Sequence, residues 1–184
     1  MRLVPTDLPD VLIVEPDVHR DARGYFLETY HAEKYRAAGI PGPFVQDNHS
    51  RSVARTLRGL HLQVRRPQGK LVRVVEGEIF DVAVDVRRGS PAFGRWVGHT
   101  LSSANFRQCW VPPGFAHGFC VLSPFAHVEY KCTDVYDPAA EIGIAWDDPA
   151  LGIVWPIDRP IVSRRDRGNL TLAAVMGALP EWGG

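Results

Sequence analysis

The 184-residue sequence is short of cysteine, of charge imbalance and of long apolar runs. Its three cysteines, Cys109, Cys120 and Cys132, form no CxxC pair and are too few and too scattered for a disulfide framework. They read as ordinary buried thiols. Lys+Arg and Asp+Glu both number 21, so the formal net charge is zero. That excludes nucleic-acid binding driven by an overall basic surface. The N-terminal stretch MRLVPTDLPDVLIVEP has neither the apolar core of a signal peptide nor the length of a membrane span. The expectation is a cytoplasmic, soluble protein with no membrane partner. Internal repeats and low-complexity linkers are also missing, and the length suits one domain over residues 1–184.

What the chain does have is a series of short apolar runs cut by turn signals, with 45% hydrophobic residues to build a core. Runs such as KLVRVVEG, EIFDVAVDV, RWVGHTL and HGFCVLS alternate with RRPQG, RRGSPAFG, SSAN and PPG. This spacing predicts an all-β antiparallel sandwich or barrel. Two short helices are predicted near 31–38 and 170–179, the second placing Leu172, Val175, Met176 and Leu179 on one side. The C-terminal EWGG is expected to be loosely held.

Strand parity sharpens this picture, because side chains alternate between faces. In 78–86, Phe80, Val82, Val84 and Val86 share one face, and Asp81 and Asp85 share the other. In 60–64, Leu60 and Leu62 lie opposite His61 and Gln63. A single strand charge usually marks a solvated face. Neighbouring strands that each carry ionisable groups on one face fit a barrel with a partly polar interior, a ligand cavity. Arg58 shares parity with Leu60 and Leu62, and Gly59 is a candidate bulge that would re-aim it.

The segments RGYFLE (23–28), FVQDNHS (44–50), LRGLHLQ (57–63), QGKLVR (68–73), VPPGFAHGF (111–119), EYKCTDVY (129–136), WDDPALGIVWP (146–156) and SRRDR (163–167) occur in order with compatible spacing. Together they resemble the dTDP-4-dehydrorhamnose 3,5-epimerase family, from about Val11 to Arg167. The resemblance implies a cupin-type jelly-roll barrel with short peripheral helices and a homodimer. It also implies a small-molecule substrate, dTDP-4-keto-6-deoxy-D-glucose, on the route to dTDP-L-rhamnose or related deoxysugars, and neither cofactor nor metal.

The residue roles follow from the same resemblance. His61 matches the base, a choice its ordinary pKa near neutrality suits. Asp166 matches the carboxylate that orients it, Tyr130 the proton donor, and Lys70 the lysine near the carbon-4 oxygen. Parity suggests that Asp81 holds Lys70 in its charged form. Arg23 and Arg58 match diphosphate ligands, where a guanidinium fork suits the geometry. Phe26 matches a residue stacked on thymine and Glu28 one that accepts from the base. Arg23, Phe26 and Glu28 are expected to reach across from a partner subunit. Gln46 and Asn48 match polar pocket residues, or else make local turn bonds. His117 is expected in the pocket, and Tyr136 either packs the barrel or touches the ligand. His19, His31, His99 and His127 are read as surface or structural.

Three positions depart from the family pattern: Pro113 for a glutamate, Leu62 for an aromatic residue, and the segment AHVEY before Tyr130. They are expected to line or flank the cavity. A narrower activity at carbon 3 or carbon 5 alone is one alternative, and a non-catalytic sugar-nucleotide-binding cupin is another. A metal-dependent cupin would usually carry an HxH pair, where this chain has His61-Leu62-Gln63.

Overall fold

The strands of this chain are short and many have two usable faces, so its apolar surface is buried only when sheets stack. The structure, a computed structural model, describes residues 1–183. In chain order the elements are β1 (Arg2–Pro5), β2 (Leu12–Glu15), β3 (Val18–Asp21), β4 (Gly24–Leu27), α1 (Ala32–Ala37), β5 (Gln46–Val53), β6 (Thr56–Gln63) and β7 (Lys70–Glu76). They continue with β8 (Glu78–Asp85), β9 (Trp96–Ser102), β10 (Gln108–Val111), β11 (Phe115–Val121), β12 (Phe125–Cys132), β13 (Glu141–Gly143), β14 (Ile161–Val162), α2 (Arg164–Arg167) and α3 (Leu172–Val175). A 3₁₀ turn over Met176–Ala178 follows α3.

One sheet has the order β1-β2-β10-β7-β12-β5, and the second runs β13-β6-β11-β8-β9 with β14 parallel to β6. From β5 to β12 the chain crosses repeatedly from one sheet to the other. This is a cupin-type jelly roll, whose two sheets face each other without joining into one closed ladder. Hairpin β3–β4 stands apart as a small third sheet.

Between the two large sheets, Val72, Val74, Val111 and Val128 meet Ile79, Ala83, Leu101, Phe115 and Phe119. The parity of β8 is as read, but its valines face outward. Val82, Val84 and Val86 join Leu60 and Leu62 beneath a cover built by Ile144, Leu151, Leu172 and Leu179. Asp81 and Asp85 therefore point between the sheets, and both are buried. Asp85 does not line the cavity that holds His61. It accepts from Arg87 Nε at 2.9 Å and from Ser90 Oγ at 2.6 Å, fastening the turn that leaves β8.

Both predicted helices form, and each is shorter than its segment. The second is capped by Thr171 and tightens into the 3₁₀ turn, which leaves Met176 exposed while Leu172 and Leu179 are buried. α2 was not foreseen; Ser163 caps it by accepting from Asp166 N. The C-terminal segment is better held than expected. Glu181 bridges to Arg88, and Trp182 N–H donates to Arg88 O at 2.9 Å; Gly184 lies outside the described residues. Cys109, Cys120 and Cys132 are buried free thiols, as read. Among the described residues no helix is long and apolar enough to cross a membrane.

Candidate active site

A cavity of about 590 Å³ opens between the sheets, lined by β5, β6, β7, β11 and β12 and closed at one side by α2. Strand β6 supplies Arg58 and His61. In a regular strand these two would face opposite ways, because they are three residues apart. Against β11, however, His61 pairs with His117 while Arg58 pairs with Phe119, so β6 carries an extra residue at Gly59–Leu60. This bulge puts Arg58 and His61 on the cavity together. Gly59 has φ +124°, and a Cβ there would stand 2.6 Å from the Gly118 Cα. Glycine is required at that point. Arg58 Nε donates to Ser52 Oγ at 3.0 Å, which fixes the stem of its guanidinium.

His61 Nε2–H donates to Asp166 Oδ1 at 2.8 Å. The other oxygen of Asp166 accepts from Gly59 N–H at 3.3 Å, so one carboxylate fastens both the bulge and the imidazole. Burial opposes the charge on Asp166. The bond and charge of His61 and the Gly59 amide outweigh it, and the carboxyl is held below its usual range. With Nε2 engaged, Nδ1 is the His61 nitrogen left for a ligand.

Lys70 begins β7 and lines the same cavity. Burial pulls its ammonium below the ordinary lysine value, opposed by the charges of Cys132, Glu141 and Asp81. Tyr130, on β12 across from Asn48 and Val72, also lines it. Burial pushes its phenol up, so the hydroxyl keeps its proton near neutrality. The charge of Asp81 favours the Lys70 ammonium, as expected, but Asp81 makes its hydrogen bond elsewhere. Its Oδ2 accepts from His117 Nε2 at 2.8 Å, and His117 lies against the cavity. The register explains this: Asp81 pairs with Phe119 on β11, two residues from His117, and points to the same face.

Gln46 and Asn48 line the cavity and also make local bonds, Gln46 Nε2 donating to Asn48 Oδ1 at 3.0 Å. Tyr136 is no barrel-packing residue. It is 45% exposed at the cavity mouth, and its hydroxyl donates to Glu141 Oε2 at 2.7 Å. Glu141 also takes the guanidinium of Arg165. Sequence reasoning missed Glu141 and Arg165. Glu141 sits alone in AAEIG with no local signal, whereas Arg165 is the direct neighbour of Asp166 in the segment already singled out.

This chain does not bring Arg23, Phe26 and Glu28 to its own cavity. They lie on or beside the β3–β4 hairpin, where Arg23 pairs with Asp21, Glu28 pairs with Lys34 and Phe26 is 71% exposed. The three family departures also lie off the cavity, contrary to expectation. Leu62 is in the outer core layer, Pro113 lines a groove with Trp110 and Trp182, and Ala126 and Val128 fill the inter-sheet core.

The family model described as dTDP-4-dehydrorhamnose 3,5-epimerase matches residues 5–174. A relative of that name from Pseudomonas aeruginosa is 54% identical over 175 residues, 94% of this chain and 97% of its own length. One from Neisseria gonorrhoeae is 52% identical over 174 residues; the match takes 94% of this chain but only 53% of that relative's length. A crystal structure of dTDP-6-deoxy-D-glucose-3,5-epimerase from Legionella pneumophila Philadelphia 1, in complex with dTDP-4-keto-L-rhamnose, is similar with a TM-score of 0.97. Its sequence is 47% identical, and the match covers 100% of this chain and 99% of that one. With motif order, jelly roll and cavity all in agreement, the chain belongs to the dTDP-4-dehydrorhamnose 3,5-epimerase family.

Proposed function

We propose that this protein is an isomerase that inverts carbon 3 and carbon 5 of dTDP-4-keto-6-deoxy-D-glucose, working as a cytoplasmic homodimer without metal or cofactor. The observation that carries this reading is the convergence on one cavity of His61 bonded to buried Asp166, the protonated phenol of Tyr130 and the half-buried amine of Lys70. The ketone at carbon 4 acidifies the hydrogens on its two neighbours. His61 Nδ1 takes one of them, and the electron pair moves onto the carbon-4 oxygen as an enolate. Asp166 stabilises the imidazolium and fixes the ring. Lys70 faces the oxyanion, and Tyr130 delivers a proton to the opposite face of the carbon. Solvent then restores the proton of Tyr130 and removes that of His61. Acid–base groups of this kind contribute about 10²–10⁴-fold each, and the oxyanion contact is often the larger effect.

Arg58 suits the diphosphate, with Gln46, Asn48 and the Tyr136–Glu141–Arg165 group forming the polar wall and mouth around it. The thymidine end is completed by Arg23, Phe26 and Glu28 of a second copy. A 71%-exposed phenylalanine on a projecting hairpin supports that arrangement, since it has little apolar cover within its own chain.

Turnover in deuterated water tests the reading. Wild-type protein should place deuterium at both carbon 3 and carbon 5 of the product. Label at one carbon only would favour a single-centre epimerase, and no label at all would favour a binding module. Stoichiometric iron, manganese or zinc in protein purified without chelator would contradict the metal-free chemistry.

A further inference from the structure

Gln63 lies two residues from His61 on β6, yet it does not line the cavity and is buried to 4% exposure. Its side-chain amide bonds to backbone three times. Nε2 donates to Arg66 O at 2.8 Å and to Val135 O at 3.2 Å, and Oε1 accepts from Asp137 N–H at 2.9 Å. Two acceptors and one donor in that arrangement fit a primary amide in one orientation. Residues 135–137 belong to no strand, so no ladder fixes them. Tyr136 stands between the two residues that Gln63 holds, and its own N–H donates to Gln46 Oε1 at 2.8 Å. Through its backbone Gln63 also pairs with Glu141 on β13. Glu141 Oε2 accepts from the Tyr136 hydroxyl at 2.7 Å, so both members of that contact at the cavity mouth are anchored on one residue of β6. Gln68 Nε2 holds Asp134 O upstream at 2.8 Å. The ion pairs of this segment, Arg66 with Asp134 and Arg65 with Asp137, are exposed and contribute little.

We propose that Gln63 is a positioning residue for substrate binding: its buried amide holds Tyr136 against Glu141, so that the pair forms a preformed wall for the nucleotide part of the substrate. This rests on the reading under Proposed function. The sugar must reach His61 and Tyr130 inside the cavity, which leaves the nucleotide part at the mouth. A mouth free to move would have to be ordered whenever a ligand enters, and fixing it beforehand removes that cost from binding. Gln63 stands behind the cavity wall, so its effect belongs to affinity and not to the proton transfers.

The test is Gln63→Met, which is close in shape and offers nothing to the three backbone partners. The dissociation constant of dTDP and KM for the keto sugar should each rise about tenfold, the effect of unmaking buried hydrogen bonds. At saturation kcat should stay within about threefold of wild type, as for a contact that serves ground state and transition state alike. A glutamine that only stabilised the fold would lower the melting temperature and leave the dissociation constant alone. In a Tyr136→Ala background, Gln63→Met should weaken dTDP less than about twofold further, since its effect passes through Tyr136. Wild-type affinity in Gln63→Met, a loss confined to kcat, or the full tenfold loss repeated without Tyr136 would overturn the proposal. Should Gln63→Met fail to fold, amide hydrogen exchange in wild type decides. The Asp137 N–H should then be protected, and exchange at the rate of an unfolded chain overturns the clamp. Wild-type protein that binds no dTDP overturns the nucleotide reading and this proposal together, whereas dTDP binding that ignores Gln63→Met overturns this proposal alone.

Discussion

Asp166 serves the site and the fold at once. One oxygen holds the His61 ring, the other holds the Gly59 amide, and its own N–H is capped by Ser163 Oγ at 3.0 Å. Its pKa is lowered in the folded state, because the His61 bond and charge and the Gly59 amide outweigh the burial that opposes them. Stability from this group is present above the unfolded aspartate value of about 3.9 and is lost as pH falls through the lower folded value. Asp166→Asn should therefore flatten the acid limb of a urea-midpoint-against-pH curve below about pH 4, and an unchanged limb would show that other carboxylates set it. The same substitution should reduce turnover by up to about 10⁴-fold, as loss of an orienting carboxylate does in a histidine triad. Asp166 and His61 are 105 residues apart, and only the matched motif brought them together before the structure did.

At the scale of elements, the bulge in β6 decides where the chemistry sits. Gly59→Ala would drive a Cβ to 2.6 Å from Gly118 Cα and 2.9 Å from His117 O, in a backbone region that L side chains avoid. The expected cost is about 1–3 kcal/mol of unfolding free energy, as in other overpacked sites, together with loss of activity. Calorimetric unfolding checks it, and a variant with wild-type melting and turnover would mean that β6 relaxes without moving Arg58 or His61. This element shows what the sequence could and could not disclose. Alternation in 78–86 reveals two unlike faces, and the misfit of Arg58 points to a bulge at Gly59. Which face of β8 turns inward was not legible. That depends on Ile144, Leu151, Leu172 and Leu179, which arrive from far along the chain to cover the valines. Asp81 illustrates the same limit. Parity placed it on the face opposite the valines, but its choice of His117 over Lys70 is set by the register of β8 against β11. Glu141 was invisible because its role comes from Tyr136 and Arg165, which meet it only in the folded chain.

For the whole molecule, the part of the proposed site that one chain does not supply is the end assigned to the nucleotide. Arg23, Phe26 and Glu28 project on a hairpin away from their own cavity, and exchange between two copies would complete both sites. An interface of at least standard size, about 1,600 Å², is expected for such a dimer. An Arg23→Ala, Phe26→Ala variant mixed with a His61→Ala variant should regain one working site per heterodimer, although each is inactive alone. Mixed dimers that stay inactive would argue that each copy uses its own hairpin. The most direct measurement concerns the two faces of the sugar carbon, with Tyr130→Phe compared with His61→Ala in deuterated water. Loss of the substrate hydrogen needs only the base, whereas inversion needs base and acid. His61→Ala should neither exchange nor epimerise. Tyr130→Phe keeps the ring and its packing, so His61 should still remove hydrogen and return deuterium to the same face, giving labelled substrate of unchanged configuration and little or no rhamno product. Inversion at the wild-type rate by Tyr130→Phe, or deuterium exchange by His61→Ala, would contradict the assignment of base and acid.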